Sequence, residues 1–297
     1  MAKAKPEQAN VPTVTRADVL RGLVEVGLAA GDCVLVHSSL SSMGRVEGGP
    51  DAVVDALLDA VGPKGTVVFP TFTGDSVIEA ILSEGGAAKG PVFKKWAGLK
   101  VTDISRVNSD NITTGAIPKA ARRRNDFVKS HHPLYSICAK GPLAAEIAEC
   151  NDRYIFPCGE RKFIHLMSEH GGKTLLLGTT HSTNSSIHLI AEFGGSEYKM
   201  QDKAYWFVTV KEYLKLSRKE QAAMLVPHLG GNLPYGLERH YDNIDGPLKK
   251  AGAIRFGRIG NAEVRLIKIA DLVRVGLEEL KRDPCFLVSK VPKSLSE

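Results

Sequence analysis

Residues 33–73 read CVLVHSSLSSMGRVEGGPDAVVDALLDAVGPKGTVVFPTFT. Cys33-Val34-Leu35-Val36 and Thr66-Val67-Val68-Phe69 are short, unbroken apolar runs bounded by turn residues, as buried strands are. Between them, Asp51 to Val61 has the spacing of a helix. Pro50 stands in its first turn, where a missing N–H costs nothing. Gly48-Gly49 precedes this helix and Pro63-Lys64-Gly65 follows it. Strand, helix and strand in that order, with both strands apolar, predict a parallel pair. Upstream, Thr15 and Asp18 form a variant of the capping box. Val19, Leu20, Leu23, Val24 and Leu28 then fall at helical spacing until Gly31-Asp32.

The same reading extends down the chain. Helices are predicted over Ile117–Arg124, Leu143–Cys150, Lys162–His170, Ser185–Phe193, Arg218–Leu225 and Ala270–Lys281. Strands are predicted over Tyr135–Ala139, Thr174–Gly178 and residues 204–210. Residues 74–112 are rich in glycine and polar groups and less regular. These elements predict an α/β fold: one domain, residues 15–288, with a central, partly parallel sheet flanked by helices. Residues 1–14 and 289–297 are expected to be a flexible N-terminus and a flexible tail.

Composition narrows the function classes. Of 297 residues, 43% are hydrophobic and 24% charged, an ordinary globular balance. No apolar run reaches the roughly 18 residues of a membrane helix, and the N-terminus lacks an apolar h-region. The cysteines, Cys33, Cys138, Cys150, Cys158 and Cys285, include no C-x-x-C pair. Reduced thiols and a cytoplasmic location are therefore expected. No histidine and carboxylate set has zincin spacing, so no metal is expected. The net charge of +6 reads first as a soluble surface with a basic bias, and it also suits a polyphosphate ligand or nucleic acid. Arg122-Arg123-Arg124 lacks interleaved aromatics, so a nucleic-acid partner is not expected.

Four segments carry chemical groups. At His37 to Gly44 a buried strand runs into a serine-rich turn. Its N–H groups and hydroxyls can hold amide and phosphate groups of an extended ligand. Residues 175–192 read LLLGTTHSTNSSIHLIAE. Here a strand ends in a polar loop, Asn184 or Ser185 caps a helix, and His188 falls in its first turn. The positive end of a helix disfavours imidazolium, and a general base must be neutral. Glu192 is four residues on, on the same face. His131 and His132 precede Pro133 and point to opposite sides of an extended chain. His240-Tyr241-Asp242-Asn243-Ile244-Asp245-Gly246 places two carboxylates beside a histidine. Each segment also has a plain reading: a connecting loop, a hydrogen-bonded histidine, an Asp-Gly turn.

In this order the segments resemble the antibiotic N-acetyltransferase family, typified by the aminoglycoside 3-N-acetyltransferases. The resemblance rests on VLVHSSLSSMGRVEGGPDAVVDALLDAVGPKGTVVFPTFT, SHHPLYSICAKGPLA, LLLGTTHSTNSSIHLIAE and GRIGNAEVRLIKIADLV. It covers most of residues 15–285. It implies a family-specific α/β fold, distinct from the common compact acetyltransferase fold. It implies acetyl-CoA as cosubstrate, the 3-amino group of an aminoglycoside as acceptor, and antibiotic resistance as the outcome. By the same resemblance, Ser38, Ser39, Ser41, Ser42 and Gly44 contact the coenzyme arm. His188 matches the catalytic histidine, with Glu192 and Asp245 as its candidate acids. Asp75, His132 and Asp242 are the candidate substrate contacts. The family places its glutamate three residues after the histidine; here Ile190 makes the interval four. Direct transfer is expected, with backbone N–H groups or a hydroxyl such as Thr71 stabilising the oxyanion. No cysteine stands in a segment with a histidine and an acid, which argues against a cysteine-acyl route. The basic charge conflicts with a polycationic substrate, unless Glu160, Glu192, Glu238, Asp242 and Asp245 build a local acidic patch. A less cationic amine, and a CoA-binding protein without turnover, remain the alternatives. A homo-oligomer is compatible with the sequence.

Overall fold

The computed structural model describes residues 13–72, 114–132, 135–155, 162–194, 209–213, 215–216 and 239–288. Strands β2 (Cys33–Ser38), β4 (Thr66–Pro70) and β7 (Lys173–Leu177) form a parallel core with β2 in the middle. The register pairs Leu35 with Val68 on one side and Val36 with Leu175 on the other. Antiparallel strands extend both edges: β6 (Ile137–Lys140) and β5 (Val128–Lys129) beyond β4, β9 (Ala262–Lys268) and β8 (Ile254–Ile259) beyond β7. The order is β5-β6-β4-β2-β7-β9-β8. A small parallel pair, β1 (Thr13–Val14) with β3 (Arg45–Val46), lies apart from it.

Helices cover both faces because successive strand residues point to opposite sides. Val34, Val36, Val67, Phe69, Leu175 and Leu177 pack on one side. That layer holds α1 (Arg16–Glu25), α2 (Gly49–Val61) and α3 (Ala116–Arg123). Cys33, Leu35 and Val68 face the other side. There they meet α4 (Ala144–Arg153), α5 (Phe163–Glu169) and α6 (His188–Gly194). Leu176 packs on Leu272 and Val275 of α9 (Ile269–Arg282). Each such side chain, fully buried, contributes about 1.5–3 kcal/mol.

The predicted parallel pair and its helix are present, and the capping box forms. Thr15 Oγ1 accepts from the Asp18 N–H at 3.1 Å, and Asp18 Oδ2 accepts from the Thr15 N–H at 3.0 Å. Three readings change. The helix predicted from Ser185 begins as a 3-10 turn, Ser185–Ile187, and becomes α-helical at His188. Val210, predicted to end a strand, opens the short helix α7 (Val210–Tyr213). The β8–β9 hairpin was not predicted. The remaining helix, α8 (Asp245–Lys250), follows a 3-10 turn over Tyr241–Ile244. The predictions for residues 74–112, 204–208 and 218–225 lie outside the described residues.

Candidate active site

The carboxyl ends of β2, β4 and β7 open onto one cavity of about 950 Å³. Such a crevice, outside the carboxyl ends of parallel strands, is where open α/β sheets place ligands. Ser38 and Ser39 line it at the end of β2, Pro70 and Phe72 at the end of β4, and Thr179 after β7. His188, Arg239 and Tyr241 complete the wall.

The serine-rich turn is folded on itself. The Ser39 N–H donates to Leu177 O at 2.9 Å, which ties the turn to β7. Ser42 Oγ donates to Ser39 O at 2.7 Å. Ser42 faces Gly178, so it braces the turn, and Ser38, Ser39, Ser41 and Gly44 are the ones that reach the cavity. Gly178 has φ +68, and a Cβ there would collide with Ser42 Oγ. The Ser38 hydroxyl is enclosed and has no hydrogen-bond partner among the described residues. A buried orphan hydroxyl beside a cavity is a polar atom in want of a ligand.

His188 is exposed at the mouth, edge-on to Tyr241 with ring centroids 6.1 Å apart. Asn184 holds the turn before it, its Oδ1 accepting from the Ser186 N–H at 2.9 Å. Ser186 Oγ lies 2.6 Å from Thr174 Oγ1, fixing that turn to β7. The two aspartates act one layer behind. Asp242 Oδ1 accepts from the His181 backbone N–H at 2.7 Å. Asp245 Oδ1 lies 3.2 Å from Nε2 of the fully buried His181, and its Oδ2 accepts from Arg265 Nε at 3.2 Å. Burial pushes the Asp245 carboxyl up, but His181 and Arg265 together hold it below the ordinary value. The structure therefore pairs Asp245 with His181, and neither aspartate is among the cavity-lining residues. Glu192 lies on α6, and its side chain is outside the described residues, as is Asp75.

His132 occupies a structural position. It is 2% exposed, its Nδ1 accepts from the Tyr135 N–H at 2.9 Å, and its Nε2 pairs with Tyr154 O at 3.0 Å. Burial pushes its pKa down to about 4. His131 is exposed, so the two histidines do part, as the extended chain requires. Thr71, a candidate oxyanion donor, is fully buried and its Oγ1 accepts from Arg122 Nη1 at 3.1 Å. Cys33 and Cys138 are buried, and burial pushes both thiols up to about 12. No described cysteine lines the cavity. Among the lining residues, His37, Arg239 and Tyr241 were not singled out as site residues from the sequence. His37 could have been found, since it is the first polar side chain at the carboxyl end of a buried strand. Among the described lining residues Arg239 is the one with a fixed charge, and none is a carboxylate.

Fold and site define an α/β protein with its ligand crevice at the carboxyl ends of a parallel core and a histidine at the mouth. The family model described as aminoglycoside 3-N-acetyltransferase matches residues 35–281, and the chain belongs to that family. Its enzyme class is that of the aminoglycoside N(3)-acetyltransferases. Aminoglycoside N(3)-acetyltransferase VIII of Streptomyces fradiae is 31% identical over 277 residues, 92% of this chain and 93% of the relative. The aminoglycoside N(3')-acetyltransferase-like protein YokD of Bacillus subtilis is 27% identical over 272 residues, 87% of this chain and 89% of the relative. Two solved structures share the fold. The aminoglycoside acetyltransferase AAC(3)-IVa apoenzyme has a TM-score of 0.65 at 24% identity, covering 97% of this chain and 96% of its own. AAC-IIIb in binary complex with CoASH has a TM-score of 0.65 at 23% identity, covering 91% and 97%.

Proposed function

We propose that the protein transfers the acetyl group of acetyl-CoA to the 3-amino group of an aminoglycoside in the cytoplasm, conferring resistance, with His188 as general base. One observation carries this: the exposed His188 and the serine-rich turn line the same cavity. The cavity fits the proposed donor, since Ser38, Ser39, Ser41 and Gly44 offer polar groups to an extended arm and the Ser38 hydroxyl lacks a partner. The bound CoASH of AAC-IIIb supports the same assignment.

The thioester supplies an acyl carbon open to attack by an amine. The chain's residues do the rest. The acceptor amine must be neutral to attack, so a base is needed at its nitrogen. A ring nitrogen of His188 takes the amine proton as the N–C bond forms, then returns it to the departing sulfur. Glu192, one helical turn on, orients the ring. Asp242 and Asp245 hold the His181 turn that leads into Asn184 and His188. Asp75 is the proposed contact for a cationic acceptor. The route is direct, because the described cysteines stand outside the cavity lining.

A second reading has one specific observation behind it. No carboxylate is among the described lining residues and the chain carries +6, which favours a less cationic amine. Thiol release from acetyl-CoA, measured against aminoglycosides and monoamines, separates the two. The first reading predicts higher kcat/KM with an aminoglycoside; faster release with the monoamines would replace it by the second.

A further inference from the structure

His37 is the fifth residue of β2, 7% exposed, and it lines the cavity with Ser38 and His188. The Ser185 backbone N–H donates to its Nε2 at 3.2 Å. A backbone N–H can only donate, so Nε2 is the unprotonated nitrogen of the ring. The ring's one proton therefore sits on Nδ1. A charged ring would set a second N–H at Nε2 against that of Ser185. Burial, with His188 and His181 as neighbours, opposes the charge further and holds the His37 pKa down at about 3. Nδ1 has no hydrogen-bond partner among the described residues, yet it is not one of the sealed orphan atoms. The cavity is the open space that this ring borders.

Resting on the acetyl-transfer reading above, we infer that His37 is a catalytic hydrogen-bond donor, its neutral Nδ1–H meeting the acyl oxygen as negative charge builds there. The closed-off hydroxyl of Thr71 leaves this role to another group. A neutral imidazole fixed by one backbone bond needs no reorganisation to serve it, which is the physical requirement for an oxyanion donor. Two histidines then divide the chemistry. His188, exposed, moves the proton; His37, enclosed and neutral, stabilises charge without giving its proton away. The Ser185 bond also ties the donor to the turn three residues before the base.

Two substitutions separate this role from a structural one. In His37→Asn the amide nitrogen falls near Nδ1, so the donor is kept and the acceptor for Ser185 is lost. In His37→Gln the side-chain oxygen can accept from Ser185, and the donor at Nδ1 is lost. The inference predicts that His37→Gln lowers kcat about 10²–10³-fold with little change in the KM for acetyl-CoA. It predicts that His37→Asn recovers at least about tenfold of that loss. The opposite order, or equal losses, would assign the ring to holding Ser185 and overturn the inference. Nitrogen-15 NMR of the ligand-free wild-type protein at pH 7 reads the ring directly. A proton on Nδ1 is expected; a proton on Nε2, or a charged ring, overturns it. That measurement needs no acceptor. A protein that acetylates no amine would thus sink the activity and leave the tautomer to be judged by itself.

Discussion

His132 and His188 look alike in the sequence, each a histidine next to a loop, and the fold separates them by burial. His188 is exposed at the cavity, whereas His132 is enclosed with both ring nitrogens on backbone groups. The sequence could not show this, because the enclosing Tyr135 and Tyr154 belong to different turns of the chain. The separation has a pH signature. An ordinary histidine titrates near 6.5, and in the folded chain His132 takes a proton only near 4. Between those values the unfolded chain binds the proton and the folded chain does not, so protonation favours unfolding. Stability is full above about pH 6.5 and falls as pH drops toward 4, by about 2 kcal/mol at pH 5 for this one group. Thermal unfolding of wild type and His132→Gln at pH 7.5 and 5 checks it. The variant should start less stable and lose less on acidification; equal losses would count against the assignment.

At the scale of elements, the legible parts were those whose burial is uniform. β2, β4 and β7 each contain an unbroken apolar run (Cys33–Val36, Val67–Phe69 and Leu175–Leu177), and α2 carries its own start and stop residues. The β8–β9 hairpin was hidden because β8 is an edge strand, Ile-Arg-Phe-Gly-Arg-Ile, with Arg255, Phe256 and Arg258 exposed. Its one local signal is the Gly260-Asn261 turn between the strands. The 3-10 turn at Ser185–Ile187 was read as α-helix because an Asn cap and helical spacing suit both forms. The contact of the serine turn with β7 makes a testable element. Gly178→Ala places a Cβ against Ser42 at positive φ. It should cost about 1–3 kcal/mol and raise the KM for acetyl-CoA more than it lowers kcat. Gly171→Ala is the control, with φ +69 and open space around the new Cβ. It should cost about 1 kcal/mol and leave that KM alone. An unchanged KM in Gly178→Ala would show that the turn does not hold the donor.

The whole molecule joins a parallel core, two helical layers and a basic surface around one crevice. The strand-helix-strand unit over residues 33–70 disclosed the core. The place of β7 beside β2 was not legible, because the two are far apart in sequence and pair through backbone hydrogen bonds that leave no side-chain signature. The charge of +6 makes its own prediction. Its field attracts an anionic donor and repels a cationic acceptor, and salt screens both. Raising salt from about 0.05 to 0.5 M should raise the KM for acetyl-CoA and lower that for an aminoglycoside. Movement of both in the same direction would contradict this. The central claim is that His188 removes the acceptor's proton. Thiol release at saturating acetyl-CoA with an aminoglycoside, wild type against His188→Ala, tests it most directly. A fall of about 10²–10⁴-fold in kcat is predicted; turnover near that of wild type would contradict it.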